Sequence, residues 1–224
     1  MGLLTPRVLV GKPSSLRETF EANGYLWLKG LIDRAEVLEF RRHVFQAFAD
    51  TGLLAPNSDP VDGVASGADR AEDVARRRLM ELVRSAAFEA FCLNPGLWRF
   101  MDDFLGGLSY LHKRKLLRHT LPGQNFSTPA HYDLVYLRGG TDRLVTAWIP
   151  IGDVPVEMGG LVYLEGSHAL GRRMESEFRV ASGDLPAEER DQRLQSPHAG
   201  GRVDLERPAR YGGALQRALA DRRL

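Results

Sequence analysis

The sequence predicts an α+β, mainly β chain: a jelly roll or β-sandwich buttressed by N-terminal helices, as a single domain over residues 1–224. Two observations predict it. Up to residue 107, apolar residues recur at helical spacing between cap-like residues. From Leu108 the pattern changes to short, alternating, branched and aromatic runs separated by glycine-rich turns. Helices first and short strands afterwards argue for segregated layers rather than a β/α alternation. The chain divides accordingly into helical support (1–107), jelly-roll strands (108–170) and a polar, partly helical tail or insertion (171–224).

The elements follow in order. Residues 1–13 read as irregular. Ser14 or Ser15 caps a short helix from Leu16 to Asn23, and Asn23-Gly24 stops it. Tyr25 to Lys29 has strand composition. Asp33 caps a helix from Arg34 to about Thr51, whose core face is Val37, Phe40, Val44, Phe45 and Phe48, with Gly52 as its stop. Residues 55–68 are a long loop of turn formers, either a mobile segment that approaches an active site or, as such loops more often are, a connector. One helix is expected from Asp69 to about Leu93 and another from Pro95 to Phe104, with Pro95 in the first turn. Gly106-Gly107 closes the helical half.

Beyond it, Leu108 to Leu121 reads as a strand with Tyr110, His112, Arg114, Leu116 and Arg118 on one face. Strands at 130–138 and 144–151 are joined by the hairpin-like 138–142, and Leu161 to Leu164 forms a last short strand. After Gly171 charge dominates. Short helices are expected at 185–194 and 211–224.

Composition excludes several function classes. Apolar residues make up 43% and charged residues 26%, which is the balance of a globular protein, and the net charge of +1 gives no field to draw nucleic acid or an anionic membrane. The lone Cys92 rules out an intrachain disulfide and a cysteine zinc site. No apolar run approaches the roughly 18 residues of a membrane span, and the N-terminus has no leader pattern, so a cytoplasmic location is the expectation.

The chemistry is concentrated at His131-Tyr132-Asp133. On an extended strand, alternate side chains share a face, so His131 and Asp133 are expected to meet at one point. An imidazole and a carboxylate side by side are two thirds of the 2-His-1-carboxylate triad that holds non-haem Fe(II) with positions left open.

The flanks of that motif resemble the phytanoyl-CoA dioxygenase family of Fe(II)- and 2-oxoglutarate-dependent oxygenases. The matching stretch runs from Thr128-Pro-Ala-His-Tyr-Asp133 through Thr146-Ala-Trp-Ile-Pro-Ile151 and the Met158-Gly-Gly-Leu161 turn to Leu164-Glu-Gly-Ser-His168. Phe20 to Leu28 resembles the family's opening. Glu165 stands where the family has proline. The resemblance implies a double-stranded β-helix of the cupin type and hydroxylation of a small-molecule substrate, with Fe(II) as metal and 2-oxoglutarate as co-substrate. It implies that His131 and Asp133 are metal ligands and that Trp148 lines the 2-oxoglutarate site. Thr146 lies on the same strand face as Trp148, and Gln124 and Thr128 offer further hydrogen bonds. The carboxylate of Asp133 favours hydroxylation over halogenation, which needs that coordination position for halide. His168 is expected to be structural, because in the family this segment is a turn distinct from the third ligand.

The family also has a late histidine as third ligand and an arginine for the distal carboxylate of 2-oxoglutarate. His198, followed by Arg207 and Arg210, has tolerable spacing, but its flanks carry no strand pattern. The closing strands of the barrel are therefore expected to be missing. Two rivals stay open: a truncated, inactive relative acting as a binding or interaction module, and a cupin-type enzyme without 2-oxoglutarate, using His112 or His119 beside His131 and Asp133. The oligomeric state is unreadable from sequence.

Overall fold

A computed structural model describes residues 7–8, 13–67 and 71–120 and, with gaps, residues 131–189. Helix α1 spans Pro13–Asn23, three residues earlier than the sequence suggests, with proline in the first turn, where its missing N–H costs nothing. Gly24 ends it in the left-handed conformation at φ 81°, donating to the Phe20 carbonyl at 2.7 Å. The expected strand at 25–29 is reduced to β2, Leu28–Lys29. It pairs in parallel with β1, Arg7–Val8, a segment read from sequence as irregular. This pair is the only sheet among the described residues.

Helix α2, Arg34–Gln46, starts as expected: Asp33 accepts a hydrogen bond from the Ala35 amide at 2.7 Å. It gives way to tight turns before Thr51, which still bury Phe48. The single helix expected over 69–93 is two helices, α3 (Ala71–Val83) and α4 (Ala86–Cys92). The break falls at Ser85, whose hydroxyl accepts from the Phe88 amide at 3.2 Å. That bond restarts the helix in a new direction.

Helix α5, Pro95–Leu105, is capped by Asn94 and closed by Gly106 at φ 70°. The Asn94 side chain is buried, accepts from the amides of Gly96 (2.9 Å) and Leu97 (3.3 Å), and donates to the Glu36 carboxylate at 3.0 Å. Asn94→Ala orphans two amides and one carboxylate oxygen. It is expected to destabilise the fold by about 1–2 kcal/mol, read as a lowered denaturant midpoint. A change of a few tenths would mean the cap does not hold this end.

The core lies between these helices. Phe40, Val44 and Phe48 meet Leu53, Ala75, Leu79, Leu82 and Phe88, and Phe40 stacks on Phe91 at 4.0 Å between ring centres. Helix α1 joins through Phe20, edge-on to Phe104 at 5.4 Å. Leu117 and Ile151 also pack on this core, so both ends of the 118–150 region are moored to the helical layer.

The loop after α2 folds on itself. Leu54 and Ala65 bridge, Ser66 donates its hydroxyl to the Gly52 carbonyl at 2.6 Å, and Pro60–Asp62 forms a 3-10 turn. This is a self-packed surface loop rather than a free lid. Arg41 fastens it: the guanidinium donates to the carbonyls of Val61 (2.6 Å), Asp62 (2.9 Å) and Ile151 (3.3 Å). One side chain thereby ties α2, the loop and the end of the 144–151 segment together.

The strands expected over 108–170 are the main correction. The described residues of 108–120, 143–155 and 160–163 form no strand, and Asp133–Val135 is a 3-10 turn. A strand run is stable only when its backbone groups find a neighbouring strand, however suitable its side chains are. These runs carry the composition without a described partner. Residues 121–130 and several between 136 and 142 lie outside the described residues.

The second correction is helix α6, His168–Ser182, which covers residues read as the start of a polar tail. Its charge concealed it. Glu175 is among its buried residues and pairs with Arg179 one turn on at 2.8 Å.

Candidate metal centre

The site begins where the backbone turns. The expectation put His131 and Asp133 on alternate positions of one strand. Instead, Asp133 opens the 3-10 turn, and its carbonyl accepts from the Leu137 amide at 3.1 Å. The two side chains still meet: His131 Nε2 lies 3.2 Å from Asp133 Oδ1. The other carboxylate oxygen is also engaged, since the Thr146 hydroxyl donates to Oδ2 at 2.6 Å. Thr146, expected at a 2-oxoglutarate site, is thus placed on the carboxylate of Asp133.

These partners set the charge. The His131 side chain hydrogen-bonds the Asp133 carboxylate and holds its pKa below the usual carboxylate range. Thr146 and the charges of His131 and Arg118 act the same way, against the partial burial that pushes it up. A carboxylate depressed in the folded state adds stability above its unfolded pKa of about 3.9, lost as pH falls through the folded value. Asp133→Asn is therefore expected to flatten the acid limb of the melting-temperature profile below about pH 4. An unchanged acid limb would show the carboxylate is not held this way.

Do these residues fit a metal ion? Bonds of about 2.0–2.2 Å to nitrogen and oxygen, at right angles, put two donors about 3 Å apart. The Nε2–Oδ1 separation of 3.2 Å matches such a neighbouring pair. Thr146 on Oδ2 leaves Oδ1 facing His131, which is how an outer-shell hydroxyl orients a ligating carboxylate. The donor set is a pair: among the described residues no group of three His, Cys, Asp or Glu converges. His112 and His119, the ligands of the cupin-type alternative, do not complete one. The His112 Nδ1 instead accepts from the Arg114 amide at 3.1 Å.

One residue that sequence reading passed over stands near the pair. Tyr163 stacks on Tyr25 with ring centres 5.8 Å apart, and its phenol pKa is raised, first by burial and then by the charge of Asp133. Nothing in the local sequence marks it beyond its place in a strand-like run. His168, expected in a turn, instead opens α6, and its Nε2 donates to the Glu21 carbonyl at 2.8 Å, binding α6 to the end of α1. Its ring fills the space beside Gly24 that any Cβ there would need.

Trp148 lies on the irregular 144–151 segment and is half-exposed. Gln124, Thr128, His198, Arg207 and Arg210 lie outside the described residues. No helix among the described residues is long and apolar enough to cross a membrane.

Comparison with known proteins bears out the family resemblance. The family model for phytanoyl-CoA dioxygenase matches residues 20–206. The chain is 24% identical over 170 residues to a 1-deoxypentalenic acid 11-beta-hydroxylase of Streptomyces arenae, covering 74% of this chain and 58% of that one. It is 26% identical over 192 residues to the enzyme of the same name from Streptomyces exfoliatus, covering 81% and 65%. The chain thus spans about three-fifths of the length of these curated relatives. No solved structure matches it.

Proposed function

The chain belongs to the phytanoyl-CoA dioxygenase family, and from that premise we propose that it is a non-haem Fe(II)- and 2-oxoglutarate-dependent hydroxylase of a small-molecule substrate. One observation carries the reading: His131 Nε2 and Asp133 Oδ1 face each other at 3.2 Å inside the family's motif, with the second carboxylate oxygen held by Thr146. Membership supports an oxygenase, and both relatives are named as hydroxylases. The family's jelly roll is the architecture in which the site is proposed to work.

The residues divide the task. His131 and Asp133 hold the metal. Thr146 keeps Asp133 in one rotamer and directs Oδ1 at the ion. Trp148, with Gln124, is proposed to line the co-substrate's place, and Tyr163, stacked on Tyr25, lies near enough to Asp133 for the carboxylate charge to help raise its phenol pKa. The third ligand and the arginine for the distal carboxylate are left unassigned; His198, followed by Arg207 and Arg210, is the candidate in this sequence that the experiment tests. The chemistry that bound Fe(II) and 2-oxoglutarate supply is activation of O2 for hydroxylation of a C–H bond. What the protein adds is orientation and exclusion of water.

The test is succinate release from 2-oxoglutarate in air with added Fe(II). Turnover by the wild type, lost in His131→Ala and in His198→Ala, supports the whole assignment. Loss in the first variant alone moves the third ligand away from His198. No turnover by a folded wild type favours a second reading, a non-catalytic binding module. That reading draws on the absence of a third ligand among the described residues.

A further inference from the structure

Helix α6 packs against the turn that opens at Asp133, and one of its approaches is to Tyr132. Gly171 is buried in its first turn, and a Cβ built there falls 2.5 Å from Cγ and 2.6 Å from Cδ2 of the Tyr132 ring. Such distances are well inside contact, and the obstacle is the root of a ring rather than a flexible tip. Gly171 is not in the left-handed region and makes an ordinary helical hydrogen bond to the Ser167 carbonyl at 2.9 Å. Its backbone therefore does not require glycine; the tyrosine does.

Tyr132 is the residue between His131 and Asp133. Where α6 holds its ring, α6 also fixes the backbone on either side of it. The helix is itself anchored, since His168 in its first turn donates to the Glu21 carbonyl and Gly166 donates to the Asn23 carbonyl at 3.3 Å. A continuous path runs from the end of α1 through His168 to α6, then through Gly171 to Tyr132 and the two ligands.

We infer that Gly171 is a positioning residue: it forms a seat for the Tyr132 ring that sets the spacing of His131 and Asp133. The metal-directed part of this inference rests on the function proposed above; the seat itself does not.

Alanine inside a helix ordinarily raises stability over glycine. A seat reverses the sign. Gly171→Ala is expected to lower the melting temperature of the metal-free protein. In a Tyr132→Ala background, where the ring and its root carbon are gone, the same substitution is expected to raise it. A single variant that fails to fold while the double variant folds is the same coupling in its extreme form. A rise in both backgrounds overturns the seat.

Positioning is read separately, by Mn(II) titration followed by electron paramagnetic resonance. Gly171→Ala is expected to weaken Mn(II) binding about tenfold or more; Tyr132→Ala, which leaves the seat empty, is expected to weaken it too, and the double variant to lose no more than Tyr132→Ala alone. Unchanged affinity in Gly171→Ala overturns the positioning role even where the thermal coupling is seen. If the wild type takes up no Mn(II), the metal reading fails, and the melting temperatures still decide the seat.

Discussion

His131→Ala is expected to reduce Fe(II) affinity by more than about 100-fold while leaving the fold intact, because loss of an outer-shell group alone costs 10–100-fold and His131 is proposed as a direct ligand. Its side chain is partly exposed and contributes nothing to the helical core, so its removal leaves the packing of Phe40 and its neighbours unchanged. Asp133→Ala is expected to behave alike. Thr146→Val keeps the volume and deletes the 2.6 Å bond to Oδ2, so a smaller loss, about 10-fold, is expected. The ordering is the informative part. A Thr146 variant as damaged as the His131 variant would place the hydroxyl on the metal itself. Affinities by competition with a chelator, with melting temperatures alongside, separate binding from unfolding.

Phe40→Ala carries the largest expected effect on stability. Phe40 is buried and stacks on Phe91 at 4.0 Å and on Phe88 at 5.8 Å, which joins α2 to α4. Truncating it removes transfer energy and leaves a cavity between helices that cannot close over it, a loss of about 3–5 kcal/mol. For a chain of this length that corresponds to roughly 6–20 °C in melting temperature. Ile151 packs against the same cluster, so the variant is also expected to loosen the 144–151 segment that carries Thr146 and to weaken metal binding beyond the effect on stability. A loss under about 1 kcal/mol would mean that the aromatic stack is not the organising centre of the helical layer.

The helical half was legible because its ends are written locally. Asp33 is a cap residue directly before apolar periodicity and Pro95 suits a first helical turn, and both hold those places in the structure. Ser85 is a cap residue like Asp33, yet it sits within an unbroken helical pattern, and only packing of α3 against α4 shows that the chain turns there. Helix α6 was hidden because Glu175, a residue that composition assigns to solvent, is buried beside Arg179.

The strand readings failed for a non-local reason. Alternation says which faces a strand would present, but it does not supply the neighbour that satisfies the backbone. The meeting of His131 and Asp133 was legible from the motif, though the strand argument for it was not the geometry that produces it. A turn at Asp133 brings them together, helped by Thr146 from thirteen residues away. The contacts of Tyr132 with Gly171 and of Tyr163 with Tyr25 join segments far apart in sequence, and no local pattern announces them.

The central claim is that His131 and Asp133 bind Fe(II) for use with 2-oxoglutarate. Anaerobic titration of the purified chain with Fe(II) and then 2-oxoglutarate tests it most directly, through the weak visible charge-transfer band of the ternary complex. The account predicts a band that saturates near one equivalent of each and is absent in His131→Ala. A folded wild-type protein that gives no band with both added would contradict it.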